Sequence, residues 1–114
     1  MPYSRGEVVL VPLPFTDLSG RKKRPGVVVS ADFHIQAQDD LVIAQISSQV
    51  DNPVPSDEYE IVDWGRGNAG LLFPSVVRPK LFTLEEKIVI KSLGHMPAAE
   101  MIQVDQRLRM VLSL

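Results

Sequence analysis

Residues 12–30 read PLPFTDLSGRKKRPGVVVS, a polar and basic segment set between two apolar runs. Apolar, β-branched runs of strand type flank it, Val8–Leu13 before and Val27–Val29 after. Between them a polar segment with Asp17, Ser19 and Gly20 is closed by four successive cations, Arg21, Lys22, Lys23 and Arg24. Pro25 fixes its own φ and biases Arg24 toward extended geometry. The expectation is a mobile basic loop that ends in an arginine held at the mouth of a buried strand. A fixed guanidinium beside such a loop is an anion site.

Working outward, Glu7–Leu13 (EVVLVPL) is a buried strand ended by Pro12 and Pro14, which cannot donate to a ladder. Gly26–Ser30 is a second strand, and Ser30 is placed to cap a helical turn over Ala31–Gln38. Leu41–Ser47 (LVIAQIS) is a third strand, with Ser47, Ser48 and Gln49 at its polar end. Asp51–Asp57 is a proline-bearing loop, Glu58–Val62 an exposed strand, and Trp64–Gly70 (WGRGNAG) a turn or loop with three glycines. Short apolar pieces follow, Leu71–Phe73 and Ser75–Arg78, broken by Pro74 and Pro79. Lys80–Leu84 and Lys87–Ile90 complete the strands. After Gly94 the period changes: Met101, Val104, Leu108 and Val111 recur at helical spacing behind Pro97, with Arg107 and Arg109 near the C-terminal end. Many short strands, glycine and proline punctuation and one terminal helix imply a mainly β fold. The architecture expected is a small, partly open β-barrel with the C-terminal helix packed on it, one domain over residues 1–114.

The charge is divided along the chain. Twelve Lys and Arg against fourteen Asp and Glu give a net charge of −2, which argues against a general nucleic-acid coat protein. Residues 21–24 are nevertheless wholly basic, while Asp51, Asp57, Glu58, Glu60 and Asp63 make the middle acidic. A local basic patch on an acidic body favours a polyanionic ligand. With no cysteine there is no disulfide and no thiolate metal site. His34 and His95 lack ligand spacing, so no metal or other cofactor is expected. The segment after Arg5 is too short and too proline-bearing for a signal or membrane helix, and a cytoplasmic location without membrane contact is the expectation.

Read together, these pieces resemble the MazF/PemK toxin family. The resemblance is carried by Arg5-Gly6-Glu7-Val8, Pro14-Phe15-Thr16-Asp17 and Lys23-Arg24-Pro25-Gly26-Val27-Val28-Val29. It continues in Ala44-Gln45-Ile46-Ser47-Ser48-Gln49, Pro74-Ser75-Val76-Val77-Arg78 and Leu93-Gly94, in family order over nearly the whole chain. It implies an SH3-like barrel of CcdB/PemK type, a homodimer, and a metal-independent endoribonuclease that cuts single-stranded RNA. It also implies a cognate antitoxin that binds through an extended segment.

The resemblance further implies site residues. Arg24 matches the family's catalytic arginine, whose planar fork of donors suits a phosphate. Ser47 stands where relatives carry threonine; the hydroxyl is kept, and the methyl that holds its rotamer is lost. Arg78 matches an arginine with RNA-binding or catalytic duty in the PemK branch. There an acid follows two positions later; here that position is Lys80, which leaves the general base open, with Asp17 as the substitute. Arg21, Lys22, Lys23, Ser48, Gln49 and Lys80 are the residues expected to hold RNA, and Trp64 and Phe15 are candidates to stack a base or to serve as core or dimer contacts. Plainer roles stand beside these: a solvated cation for Arg24, a turn cap for Ser47, an Asx turn for Asp17. Two other functions stay open at this point, a CcdB-like, DNA-binding gyrase poison and a catalytically silent module that binds RNA or antitoxin. Against the first, the chain ends Leu112-Ser113-Leu114 rather than in Trp-Gly-Ile.

Overall fold

The computed structural model describes residues 3–14 and 20–114. Six strands form one antiparallel sheet: β1 (Glu7–Pro14), β2 (Arg21–Val28), β3 (Asp40–Ser47), β4 (Tyr59–Glu60), β5 (Val76–Glu85) and β6 (Lys91–His95), in the order β4-β5-β3-β2-β1-β6. A short helix α1 (Asp32–Gln38) joins β2 to β3, and helix α2 (Ala98–Leu112) ends the chain. The sheet curls into a half-barrel with α2 packed on it, which is the partly open barrel the sequence implies.

Both faces of the sheet are apolar, and this explains why its central strands read as near-continuous hydrophobic runs. On one face Val8, Val27, Ala44 and Ile46 pack with Met101 and Val104 of α2. On the other, Val9, Val11, Leu13, Val28, Leu41 and Ile43 pack with Ile35 of α1. The register agrees: Val8 lies opposite Val27 and Val27 opposite Ala44. Trp64 is half-buried and packs against the first cluster.

Four expectations are corrected. Arg21–Arg24 belong to β2 and pair with Val11–Pro14, so the basic residues form a strand rather than a loop. Pro12 lies inside β1, where the pairing with β6 has already ended at Leu10 and no donor is required on that side. Pro79 does not split its strand. Ala44 pairs with Leu81 and Ile46 with Val77, so Arg78, Pro79 and Lys80 bulge opposite Gln45, a position where proline is tolerated. Lys87–Ile90 is mainly a 3-10 turn (Glu86–Ile88), and the last strand begins at Lys91, running through Gly94. Smaller differences follow the same logic. The exposed strand expected over Glu58–Val62 reduces to Tyr59–Glu60, with Tyr59 and Ile61 buried. The Ser30 hydroxyl accepts the Val42 N–H instead of capping α1.

The segment after β4 crosses to the far edge of the sheet. Ile61 N–H donates to Ser75 C=O at 3.0 Å, and His95 N–H of β6 donates to Asn68 C=O at 2.8 Å. Backbone meets backbone here. A Cβ on Gly70, whose φ is +76°, would lie 1.9 Å from the Leu93 carbonyl oxygen, and one on Gly94 would lie 2.1 Å from that of Asn68.

The segment is also tied to α2. Glu100, in the first turn of the helix and 6% exposed, accepts hydrogen bonds from Tyr59 O–H (2.6 Å), Val62 N–H (2.7 Å) and Asp63 N–H (3.1 Å). An acid there also complements the helix dipole. Arg107 sits 5.2 Å from the centre of the Tyr59 ring. Arg5 donates to Val29 C=O at 3.3 Å and pairs with Asp105, fastening the start of β1 to the same helix. Among the described residues no helix is long and apolar enough to cross a membrane.

Two predictions follow from the Glu100 contacts. Glu100→Ala strands three donors and is expected to lower the unfolding free energy by about 3 kcal/mol in a urea titration, with Glu100→Gln losing less; an unchanged midpoint would remove Glu100 from the account of stability. Burial first, and then the hydrogen bond to Glu100, hold the Tyr59 phenol well above its ordinary range. Stability from this group is complete below the unfolded pKa of about 10 and is lost as pH rises beyond it, because the unfolded chain ionises first. Thermal melts above that pH should fall less steeply for Tyr59→Phe than for the wild type; parallel curves contradict the assignment.

Candidate nucleic-acid interface

A cleft of about 730 Å³ opens beside the ends of β2, β3 and β5, walled by the crossing segment and by β6. Arg24 reaches it from β2, Ser47 from the end of β3, and Arg78 and Lys80 from the bulge of β5. Three residues remote in sequence, Arg24, Ser47 and Arg78, therefore share one cleft. Ser48 and Gln49, just past β3, also line it.

Strand alternation selects among the cations of β2. Lys22 and Arg24 line the cleft, whereas Lys23, at the intervening position, is exposed and is not among the lining residues. Arg21 opens the strand opposite Pro14. Asp17 and Phe15 lie outside the described residues. Lys91 of β6 also lines the cleft, and sequence reasoning missed it. Its register with Leu10, on the other side of β1 from the basic strand, is a property of the sheet alone.

The result is a concentration of charge. Lys22, Arg24, Arg78, Lys80 and Lys91 line the cleft, and no described Asp or Glu does, in a chain of net charge −2. Such a site focuses a positive field on whatever enters it.

The polar groups are held in place. The Arg78 guanidinium donates to Gln49 C=O at 2.9 Å, and its Nε lies 3.4 Å from Glu58 Oε2. Both side chains are largely buried, 18% and 12% exposed, so the ion pair fixes the arginine from behind while its outer face meets the cleft. Glu58 comes from the acidic middle of the sequence and stands next to Tyr59, the residue that Glu100 holds. The Ser47 hydroxyl accepts the Gln49 N–H at 3.1 Å. That is the turn-cap geometry, and it still leaves the hydroxyl proton to donate into the cleft. Lys80 adds a cation from the bulge, and the described lining residues include no carboxylate to accept a proton.

Other groups fall elsewhere. His95 Nδ1 lies 3.0 Å from Met96 C=O on β6, and His34 is half-buried on α1. Among the described residues no three His, Asp or Glu side chains gather at metal-binding distance.

The same arrangement of strands recurs in solved structures. An endoribonuclease in complex with its cognate antitoxin from a mycobacterial species superposes with a TM-score of 0.77 at 19% identity, covering 98% of this chain and 96% of that one. MazF-mt6, a toxin of Mycobacterium tuberculosis, gives 0.74 at 19% identity over 95% and 97%. The MazE–MazF complex of Deinococcus radiodurans gives 0.76 at 16% identity over 100% and 99%. At these identities the likeness concerns the fold. No curated protein sequence matches the chain. The sequence profile of the PemK-like, MazF-like toxins of type II toxin–antitoxin systems matches residues 4–112, nearly the whole chain. With that match, and a basic cleft at the position its motifs converge on, the chain belongs to the PemK-like, MazF-like toxin family.

Proposed function

We propose that this toxin is a metal-independent endoribonuclease that cuts single-stranded messenger RNA in the cytoplasm. The observation that carries the reading is the meeting of Arg24, Ser47 and Arg78 in one cleft rich in cations. The 2′-oxygen attacks the adjacent phosphorus as the bond to the 5′-oxygen breaks, leaving a 2′,3′-cyclic phosphate and a 5′-hydroxyl. Arg24 neutralises the charge that builds on the non-bridging oxygens, and Ser47 donates to one of them. Arg78 holds the neighbouring phosphate, kept in place by Glu58 and Gln49. The 2′-hydroxyl proton passes to a carboxylate, for which we assign Asp17 of the segment between β1 and β2; the departing 5′-oxygen takes a proton from water. Lys22, Lys80, Ser48 and Gln49 track the backbone of the RNA. Arg21 and Lys23, also expected to hold RNA, belong to the same strand.

The partners follow from the same reading. A cognate antitoxin whose acidic, extended segment enters this cleft would block it by charge neutralisation. A homodimer is supported by α2, whose last turns leave Met110, Val111 and Leu112 substantially exposed.

Arg24→Ala is expected to reduce cleavage of a single-stranded RNA in EDTA by at least about 10²-fold with the melting curve unchanged; undiminished cleavage removes Arg24 from the mechanism. Lys22→Ala should weaken binding across RNA sequences alike and lower the slope of log K against log salt by about 0.7, as expected for one lost phosphate contact. An unaltered slope would show that Lys22 contacts no phosphate.

A further inference from the structure

The rim of the cleft carries an aromatic side chain that the chemistry above does not use. Phe73 lines the cleft yet remains 62% exposed, beside Leu72 at 84%. Leaving such side chains in water forgoes about 1.5–3 kcal/mol of burial each.

Their backbone is nonetheless fixed. The buried Ser75 hydroxyl donates to Phe73 C=O at 2.9 Å, and Leu71 N–H donates to Trp64 C=O at 2.8 Å. Just before them Gly70 is pressed against Leu93. The phenyl ring is thus presented from a rigid turn, at the edge of a trough floored by Lys22, Arg24, Arg78 and Lys80.

A trough of cations with one flat apolar group on its rim matches a ligand that alternates anions with flat aromatic rings. Unpaired nucleic acid has that pattern, since its phosphates bind cations and its bases stack on aromatic faces. We propose that Phe73, flanked by Leu72, is the stacking site for one unpaired base of an RNA whose phosphates lie over the cleft cations. The inference rests on the reading of the cleft as an RNA site. It adds the place where a base leaves the backbone track and meets protein, and hence a determinant of which nucleotide is preferred there.

The test is fluorescence anisotropy with a randomised pool of short single-stranded RNA bearing 2′-fluoro riboses, which bind but cannot undergo 2′-hydroxyl attack. Phe73→Ala is expected to weaken binding roughly 5- to 150-fold, the range for one lost base stack. Phe73→Trp should retain affinity, whereas Phe73→Leu should not restore it, because an aliphatic group offers no ring face. Mapping the 5′ ends produced from an unmodified RNA should show relaxed preference at one position near the cut for Phe73→Ala. Wild-type affinity in Phe73→Ala, or full rescue by leucine, overturns the inference and leaves the cleft reading intact. Wild-type protein that neither binds nor cuts RNA overturns both. Loss of antitoxin affinity alone, with RNA binding unchanged, assigns Phe73 to a protein contact and overturns the stacking site.

Discussion

The backbone contact of Gly70 with Leu93, and of Gly94 with Asn68, is what the rest of the architecture depends on. The strand order leaves β4 and β6 as the two edges of the sheet, and an antiparallel edge exposes a row of unpaired N–H and C=O groups. The segment after β4 covers the β6 edge and closes the sheet into a half-barrel. It can lie that close only because neither glycine carries a side chain. The hydrogen bond from His95 N–H to Asn68 C=O then completes the join. Glu100 fastens the same segment to α2 through Val62, Asp63 and Tyr59, so closure of the barrel and docking of the helix share one set of groups.

Closure also builds the cleft. Its walls include Gly70 and Leu71 on one side and Leu93 on the other, the parts that the glycine contact brings together. Into it the sheet delivers cations by two different devices. Alternation on β2 sends Lys22 and Arg24 inward, and the bulge at Pro79 re-aims Arg78 and Lys80. Glu58, from the acidic middle of the chain, pairs with Arg78 without lining the cleft. A protein of net charge −2 thereby gathers five cations and no described carboxylate along one cleft, an arrangement that steers anions toward it.

The distribution of rigidity is consistent with this division. Residues that hold others, such as Glu100, Glu58 and Ser75, are buried or nearly so and have defined partners. Residues that face the cleft, such as Lys22, Arg24 and Lys80, are exposed, and Ser47 is half-buried at a strand end. Buried carboxylates with partners, hydrogen-bonded for Glu100 and ion-paired for Glu58, fix geometry because leaving them unpaired is costly.

Most of the elements, and the residue types gathered at the cleft, can be read from local sequence. Runs such as Val8–Leu13 and Leu41–Ser47 and the helical spacing of Met101, Val104 and Leu108 are local signals, and each is expressed in the structure. Arg24, Ser47 and Arg78 were legible because family motifs mark them. Pairing was not legible. Whether Arg21–Arg24 is loop or strand depends on β1 lying opposite, and whether Pro79 breaks a strand depends on a bulge that only β3 creates. Lys91 and Phe73 reach the cleft, and Trp64 packs against the core, through contacts with partners far away in the chain. Hydrogen bonding across a sheet and the approach of two glycine backbones are non-local events; composition and periodicity carry no record of which distant segment will be the neighbour.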